Sequence, residues 1–511
     1  MSDWTSGYVA DIGYTYGYYT ELNPQRVALA FLNAGLAVPS IGTACELGFG
    51  QGVSTNIHAA ATTVQWWGTD FNPSQAAFAQ EMAAHGGGGA KVFDQAFDEF
   101  CGRADLPDFD YIGLHGIWSW ISDDNRKVIV DFVRRKLKVG GVLYISYNTM
   151  PGWAAFAPLR DLLTSHSEVM GNPGQGILHR IDSALAFADK LMGANPAYAR
   201  ANPQVPERIK KIKEQNRNYL AHEYFNRDWL PMSFDRMAHW LEPAKLGFAC
   251  SAHYIDHIDA VNLSPEQTAL LAEIPDAQFR QTVRDFCVNQ QFRKDYWVKG
   301  PRRVVGLEQA EALRAQRVIL AQPREGVSLK VAGGLGEATM QEAIYAPVLD
   351  VLADHQPRSL AQVEQALAGK GVNFGQLMQA VVILVGNGVL YAAQDEPAVT
   401  KAKKNTDRLN AFLCNKSRSS ADMNFLASPV TGGGIAVPRF NQLFLLARSQ
   451  GRKQAADLAQ VAWAILSAQN QRLLKDGKPI DKPEDNLAEL TAQAQAFLDK
   501  QLPILKALGI A

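Results

Sequence analysis

The chain has 511 residues, a length that predicts about three domains. Its 50 lysines and arginines face 51 aspartates and glutamates, so the formal net charge is −1. This balance argues against a globally basic nucleic-acid binder, while 47% apolar and 20% charged residues are typical of a packed globular protein. Five scattered cysteines without a CxxC pair indicate a reducing compartment.

No segment of the sequence has the pattern of a signal peptide or a membrane span. The first residues, MSDWTSGYVADIGYTYGYY, lack a basic region followed by an apolar one. The longest apolar stretches, such as 380–385, are far shorter than the ~20 residues that a bilayer requires. We therefore expect a cytoplasmic protein without membrane insertion. We also expect no metal site, because Asn226 stands where a zincin motif beginning at His222 needs its second ligand.

Strand-like and helix-like segments alternate over the first 155 residues. The predicted strands are Thr43–Leu47, Thr63–Thr69, Lys91–Phe93, Asp110–Leu114 and Val142–Tyr147, and the predicted helices are Ser54–Ala61, Ser74–Ala84 and Arg126–Lys138. Gly140-Gly141 predicts the end of the third helix before the fifth strand. This alternation predicts an α/β fold with a Rossmann-like, doubly wound and mostly parallel sheet.

The remaining chain predicts three further regions. Residues 158–245 read as a helical insertion, after which Leu246–Ala252 and Asp295–Lys299 complete a seven-stranded sheet. The core is then 1–157 and 246–305, followed by a winged-helix-like domain at 320–396 and a mainly helical region at 397–511. Because residues 339–395 carry two basic and five acidic side chains, we expect no nucleic-acid partner.

The sharpest local motif is Glu46-Leu47-Gly48-Phe49-Gly50-Gln51-Gly52, between a predicted strand and a predicted helix. The next predicted strand is followed by Asp70, whose carboxylate can bind both hydroxyls of a ribose. Dinucleotides and S-adenosylmethionine both use this layout. The G-x-G-x-G spacing departs from the G-x-G-x-x-G of dinucleotide sites. The preceding Glu46 carboxylate also suits a cationic amino acid end and a sulfonium, so S-adenosylmethionine is favoured.

Longer motifs extend this pattern. They are YTYGYYTELNP at 14–24, DYIGLHGIWSW at 110–120, YISYNTMPGW at 144–153, HEYF at 222–225 and NQQFRKDY at 289–296. With them the chain resembles class I S-adenosylmethionine-dependent methyltransferases that carry a methyltransferase regulatory domain. Over about residues 10–395 it is similar to bacterial, rickettsial-type protein lysine methyltransferases. The resemblance implies S-adenosyl-L-methionine as cofactor, S-adenosyl-L-homocysteine as product and lysine side chains of a protein as acceptor.

The resemblance also implies a set of cofactor-binding residues. They are Glu46, Gly48, Phe49, Gly50, Gly52, Asp70, Phe71, Asn72, Ala96, Phe97 and His115. Asp70 would hold the ribose and Phe71 would lie against the adenine. Ala96 stands near a position that is usually acidic in such enzymes, so that Asp94, Gln95 or a backbone amide would contact the adenine instead.

Candidate catalytic and acceptor-binding residues follow the fourth and fifth strands. We predict Tyr147, His115 and Tyr14 as polar groups of the catalytic pocket. Trp118, Trp120, Asn148 and Tyr18 are predicted to bind the acceptor, because aromatic faces attract cations and because ligands bind at the carboxyl ends of parallel strands. Tyr14, Tyr18 and Tyr19 are compatible with a lid over the cofactor and with simple packing against the sheet.

Two other functions remain open at the level of sequence. The helical insertion is also compatible with a methyltransferase that acts on a small molecule or a glycan. A catalytically inactive, cofactor-binding regulatory protein would keep the same glycine loop and acids. The acceptor, the number of methyl groups transferred, the role of 400–511 and the oligomeric state, a homodimer included, stay undetermined.

Overall fold

A computed structural model of the protein describes residues 15–171, 174, 176–475 and 477–511. Within this described part, the central sheet has seven strands: β1 Thr43–Leu47, β2 Gln65–Asp70, β3 Lys91–Asp94, β4 Phe109–Leu114, β5 Leu137–Asn148, β6 Leu246–Ser251 and β7 Phe292–Lys299. They lie in the order β3-β2-β1-β4-β5-β7-β6, and β7 runs antiparallel to both of its neighbours. The predicted Rossmann-like, mostly parallel sheet is confirmed.

Helices cover both faces of the amino-terminal strands. They are α1 Gln25–Asn33, α2 Val53–Ala61, α3 Pro73–Gly86, α4 Phe97–Cys101 and α5 Asp123–Lys136. Helix α3 begins with Pro73, and the Asn72 side chain accepts the amide of Ser74 at 3.0 Å, which caps a free donor at the helix start. One apolar layer contains Tyr111, Tyr144 and Tyr296, and the opposite layer contains Tyr147 and Trp297. The side chains of β5 therefore alternate between two separate layers.

The prediction that Gly140-Gly141 ends the third helix is wrong. Helix α5 ends at Lys136, and both glycines lie inside β5. Leu137 is already extended (φ −82°, ψ 124°), buried and paired with Phe109, so burial of this side chain starts the strand before the glycines. Gly140 then adopts a left-handed φ of +81°, which bends the strand where a side chain would be strained.

The segment between β5 and β6 is helical, and 158–245 remains our proposed insertion. Its helices are α6 Met150–Trp153, α7 Ala157–Val169, α8 Ile177–Gly193, α9 Ala197–Ala201, α10 Gln204–Lys213, α11 Arg217–Tyr224 and α12 Phe234–Leu241. Helices α6–α11 enclose their own apolar core around Trp153, Phe156 and Leu220, whereas α12 packs into the core of the central sheet. The basic face of α10 forms surface ion pairs, for example Lys213 with Asp189 at 2.9 Å.

The chain around β7 and after it adds helices and short strands. The helices are α13 Asp259–Asn262, α14 Pro265–Ala272, α15 Ala277–Cys287, α16 Leu307–Ala315, α17 Glu342–Val351, α18 Leu360–Ala366 and α19 Phe374–Gly386. The strands are β8 Arg317–Leu320, β9 Lys330–Gly333, β10 Gly336–Thr339, β11 Arg358–Ser359 and β12 Leu390–Ala392. Helices α17–α19 accompany an antiparallel β11-β8-β12 sheet, and the winged-helix-like assignment of 320–396 stays a prediction.

The carboxyl-terminal region packs on the helices that follow β1 and β2. It comprises α20 Glu396–Lys416, β13 Phe425–Ser428, β14 Gly433–Ala436, α21 Arg439–Ser449, α22 Ala455–Ala468, β15 Leu474–Lys475, β16 Lys478–Pro479, α23 Pro483–Ala496 and α24 Leu502–Ala507. Helix α20 packs on α2 and α3, and the β13–β14 hairpin packs on α2. A Cβ atom on Gly434 would lie 2.8 Å from the Tyr18 ring, so the hairpin meets the amino-terminal segment through glycine backbone.

This close approach generates a stability prediction. Because a methyl group at Gly434 has no room beside Tyr18, we expect Gly434→Ala to lower the free energy of unfolding by about 1–3 kcal/mol. Urea unfolding of both proteins measures the difference. Gly326→Ala is the matched control, because a Cβ there meets no heavy atom within 4 Å. Equal losses in the two variants would contradict tight packing at Gly434.

Candidate active site

The loop between β1 and α2 is built from glycines in left-handed conformations. Gly48, Gly50 and Gly52 have φ values of +72°, +57° and +69°, which other residues adopt only with strain. A Cβ on Gly52 would lie 2.5 Å from the Cβ of Ala79 in α3. The loop thus turns tightly at the carboxyl end of β1 and keeps its backbone close to the neighbouring β2–α3 turn.

Two buried carboxyl groups flank this glycine loop. Asp70, at the end of β2, accepts the backbone amides of Gly50 at 2.9 Å and Asn72 at 3.0 Å. Burial raises its pKa to about 7. Glu46 in β1 is 2% exposed and accepts the hydroxyl of Thr55 from α2. Burial raises the pKa of Glu46 to about 8, so both groups gain or lose a proton close to neutrality.

The other predicted cofactor residues lie around this loop and at the next strand end. Phe49 and Asn72 are buried, whereas Phe71 and Phe97 are partly exposed. Ala96 immediately precedes α4. Its backbone amide donates to the Glu99 carboxylate at 3.1 Å, so this amide already has an acceptor.

The predicted alternatives to Ala96 differ in their surroundings. Asp94 is exposed at the end of β3. The side-chain oxygen of Gln95 accepts from Arg103 at 3.1 Å. Of the three residues, Asp94 therefore leaves its side chain most open to a ligand.

The amino-terminal segment crosses the carboxyl ends of the strands. The Tyr19 amide donates to Ser54 Oγ in α2 at 2.9 Å, and the Tyr19 ring stacks on His115 with centroids 3.7 Å apart. The Tyr18 hydroxyl lies 3.0 Å from His58 Nε2, inside the packing against the carboxyl-terminal hairpin. Predicted Tyr14 lies outside the described residues. Tyr19 thus covers His115, whereas Tyr18 anchors the segment.

His115 follows β4 and stands in an aromatic and polar cluster. Its Nδ1 lies 2.7 Å from the hydroxyl of Tyr144, and its ring centroid is 6.3 Å from that of Phe292. Burial lowers the pKa of His115 to about 3, so the imidazole is neutral at pH 7. A neutral imidazole has one nitrogen able to accept a proton or a hydrogen bond.

An ion pair borders the same cluster. Lys294 in β7 binds the Glu21 carboxylate, and the Glu21 carbonyl accepts the hydroxyl of Tyr296 at 3.0 Å. Although burial opposes ionisation of Glu21, the Lys294 ammonium is the main influence that lowers its pKa to about 2. Glu21 therefore remains a carboxylate, and its pair with Lys294 ties the amino-terminal segment to β7.

Tyr147 and Trp118 are not brought to His115. Tyr147 lies on the opposite face of β5 from Tyr144, is 1% exposed, and donates its hydroxyl to Asp295 at 2.9 Å. Trp118 is fully buried, and its Nε1 lies 3.3 Å from Met232 Sδ. The alternation of side chains along a strand explains the Tyr147 position, since 144 and 147 are an odd number of residues apart.

Asn148 and Trp120 lie where β5 and β4 meet the helical segment. The Asn148 side-chain oxygen accepts Trp153 Nε1 at 3.0 Å, while its buried Nδ2 finds no hydrogen-bond partner among the described residues. The Arg160 guanidinium lies 6.0 Å from the Trp120 ring centroid and 5.1 Å from that of Trp229. A cation of this chain therefore already occupies the aromatic faces near Trp120.

The sequence-based prediction missed Glu21, Tyr144 and Lys294. All three lie inside the motifs quoted above, but no spacing rule distinguishes them from their neighbours. Strand alternation offered one signal, because it groups Tyr144 with Ser146 and separates it from Tyr147. The Ser146 hydroxyl accepts the Gly116 amide at 2.7 Å, which fixes the turn after His115.

The described ranges contain neither a cluster of metal ligands nor a membrane-spanning helix. No group of three or more His, Cys, Asp or Glu side chains in 15–171, 174, 176–475 and 477–511 is arranged to hold a metal ion. Over the same residues, no helix is long and apolar enough to cross a bilayer.

Comparisons with known proteins place the chain in a family. The family model described as a predicted methyltransferase regulatory domain matches residues 216–299, a range that crosses our expected boundary at 245. The uncharacterised protein sll1526 of Synechocystis sp. is 42% identical over 512 residues, covering 99% of both chains. The uncharacterised protein RP028 of Rickettsia prowazekii is 30% identical over 202 residues, covering 37% of this chain and 76% of that one.

Solved structures agree on the fold. The structure of PKMT2 from Rickettsia typhi in complex with AdoHcy superposes with a TM-score of 0.67 at 18% identity, covering 97% of this chain and 99% of that one. Together with the regulatory-domain match, this architecture defines the class as a class I S-adenosylmethionine-dependent methyltransferase. Within that class, the chain belongs to the same family as sll1526 of Synechocystis.

The raised pKa of Glu46 predicts a pH-dependent stability. A carboxyl whose pKa rises on folding, here from 4.5 to about 8, contributes stability below the lower value and loses it as the pH passes the higher one. Glu46→Gln removes this titration. Relative to the wild type, we expect the free energy of unfolding of this variant to increase by at most about 1.4 kcal/mol for each pH unit between about pH 5 and pH 8.

Denaturant unfolding across this pH range provides the measurement. Glu311→Gln serves as the control, because Glu311 is exposed on α16. A constant difference between Glu46→Gln and the wild type at every pH would contradict a carboxyl that is protonated in the folded protein at neutral pH.

Proposed function

We propose that this methyltransferase transfers the methyl group of S-adenosylmethionine to lysine side chains of a protein substrate. The observation that carries the proposal is the pair of buried carboxyl groups, Glu46 and Asp70, on either side of the left-handed glycine loop. When bound, the cofactor supplies a methyl group activated by a positively charged sulfur. Side chains of this protein must bind the cofactor and orient the acceptor amine.

The loop and its two acids fit the cofactor chemically. Asp70 stands at the carboxyl end of β2, where its carboxylate accepts two backbone amides and can accept ribose hydroxyls in the same way. The Glu46 carboxyl group lies beneath the loop, where a bound cationic amino acid end would favour its ionised form and be balanced by it. Because a Cβ on Gly52 would collide with Ala79 of α3, only glycine allows the loop to turn this close to the helix.

His115 is our candidate for the group that orients the acceptor amine, because an imidazole with a pKa of about 3 is too weak a base to take a proton from an ammonium. A lysine ammonium, with a pKa of ~10.4, must become a neutral amine before it can attack. When Nδ1 of His115 donates to the Tyr144 oxygen, Nε2 carries the lone pair. Burial in this aromatic cluster favours the neutral amine over the ammonium, and the proton passes to solvent before the amine attacks.

Lysine as the acceptor is supported by resemblance and by the charges at the site. The motifs at 110–120 and 144–153 resemble those of bacterial protein lysine methyltransferases, and the fold is similar to that of PKMT2 from Rickettsia typhi. Tyr147 and Trp118, which we predicted at the sequence level as pocket residues, receive no direct role in this proposal, because both are bound inside the opposite layer.

Cofactor binding supplies a direct test. Asp70→Ala removes the proposed acceptor of two ribose hydrogen bonds, so we expect the Kd for S-adenosylhomocysteine to rise at least about 100-fold. Isothermal titration calorimetry measures the change. Asp98→Ala, at an exposed position of α4, is the control and should bind like the wild type. Absence of binding by the wild type would refute the cofactor assignment.

Turnover tests the role of His115. We expect His115→Ala to lower kcat at least about 100-fold while S-adenosylhomocysteine still binds, because the hydrogen bond that orients the acceptor amine is lost. Tyr144→Phe, which removes the hydroxyl that contacts Nδ1 but leaves the imidazole in place, should lower kcat less. His239→Ala, at an exposed ring on α12, is the control. Wild-type kcat in His115→Ala would remove His115 from the mechanism.

The class of acceptor has its own measurement. Label from radioactive S-adenosylmethionine should enter lysate proteins and be recovered on lysine after protease digestion. Label found only in low-mass material before digestion would contradict a protein acceptor.

A further inference from the structure

A cavity of about 350 Å³ opens beside the His115 cluster, on the side away from the cofactor loop. Its walls come from the start of β7, from the turn after β6 and from the β9–β10 hairpin. Residues that matter for its chemistry are His253, Asp256, Gln290, Phe292, Lys294 and Ala332. Its volume falls within the ~300–1,000 Å³ that is usual for ligand sites.

The strand order places this cavity next to the cofactor site. Strands β1, β2 and β3 carry the cofactor loop and Asp70, β4 carries His115, and β5, β7 and β6 follow on the other side. Ligands of such sheets bind outside the carboxyl ends of the parallel strands. Because β7 is antiparallel, its first residues, Phe292 and Lys294, lie at this same edge.

Two cavity residues directly contact the His115 cluster. The Phe292 ring lies at an edge-to-face angle to the His115 ring, with centroids 6.3 Å apart. Lys294 lines the cavity and binds the Glu21 carboxylate of the segment that carries Tyr19. A ligand in the cavity is thus one side chain away from both His115 and the amino-terminal segment.

The cavity wall suits a lysine side chain. Phe292 and Val288 offer apolar surface to an alkyl chain, as long cationic side chains require. Asp256 offers a carboxylate that accepts the Ser251 hydroxyl at 2.7 Å and has no ion pair within the described residues. Lys294 is paired with Glu21. The neighbouring Arg284, which donates to the Asp256 carbonyl at 2.8 Å, is paired with Asp259, so the Asp256 carboxylate is the charge that can attract an ammonium group.

The hairpin forms a fixed outer wall. A Cβ on Gly333 would lie 2.3 Å from the Val261 carbonyl oxygen, and the Gly334 amide donates to the Asn262 side chain at 2.9 Å. The hairpin is therefore held against α13, and exposed Ala332 projects from it at the cavity. A large side chain at this position would narrow the opening without touching the cofactor loop.

We propose that this cavity is the entry site for the acceptor: a lysine side chain of a polypeptide passes between β7 and the β9–β10 hairpin, with Asp256 attracting its ammonium group and Phe292 packing on its alkyl chain. This inference rests on the proposed lysine methyltransferase function. It assigns substrate recognition to the β9–β10 hairpin, which lies between β8 and α17.

Blocking the cavity tests this assignment. With poly-L-lysine as the acceptor probe, we expect Ala332→Trp to lower kcat/KM at least about tenfold, while calorimetry with S-adenosylhomocysteine gives an unchanged Kd. Leu335→Trp is the matched control, because Leu335 is exposed on the same hairpin and does not line the cavity. Wild-type kcat/KM in Ala332→Trp, or an equal loss in Leu335→Trp, would overturn the proposal.

The charge of the cavity gives a second readout. Asp256→Asn should raise KM for poly-L-lysine severalfold at low salt, with kcat unchanged, and the difference should shrink as salt screens the attraction. An unchanged KM would remove Asp256 from acceptor recognition. Wild-type protein that binds S-adenosylhomocysteine but transfers no label to poly-L-lysine contradicts the lysine acceptor, whereas failure to bind S-adenosylhomocysteine contradicts the cofactor assignment instead.

Discussion

The hydrogen bond from the Gly50 amide to the Asp70 carboxylate holds the cofactor half of the molecule together. It joins the glycine loop after β1 to the end of β2 at 2.9 Å, and it depends on the left-handed conformation of Gly50. Glu46 lies below the same loop, bound to Thr55 of α2. Burying two carboxyl groups so close together costs free energy, which shows as their raised pKa values. A cationic nucleoside ligand offsets that cost by pairing with the two carboxyl groups, whereas an apolar loop would offer the cation no opposite charge.

The amino-terminal segment connects this loop to the rest of the chain. Tyr19 binds α2 through Ser54 and covers His115, and Glu21 is paired with Lys294 in β7. Tyr18, one residue earlier, lies against the backbone of Gly434 in the carboxyl-terminal hairpin. The same short segment therefore contacts the start of α2, strand β7 and the carboxyl-terminal hairpin. This arrangement gives the last hundred residues a physical link to the active site.

The sheet followed from the sequence because strand and helix patterns differ in period and because glycines and prolines mark their boundaries. Predicted β1 agrees with the observed Thr43–Leu47, whereas the observed β5 begins at Leu137, five residues before the predicted start. Burial of Leu137 beside Phe109 decided that boundary, and a local pattern does not contain a tertiary contact. The residues of the candidate site show the same difference between local and tertiary signals. Asp70 and the glycines are local features, whereas Glu21 and Lys294 are 273 positions apart in the sequence and meet only in the folded chain.

A crystal structure of the protein with S-adenosylhomocysteine tests the central claim most directly. The account predicts ribose hydroxyls on the Asp70 carboxylate, the amino acid end near Glu46, and the sulfur facing His115. A ligand bound elsewhere, with Asp70 touching only the Gly50 and Asn72 amides, would contradict it.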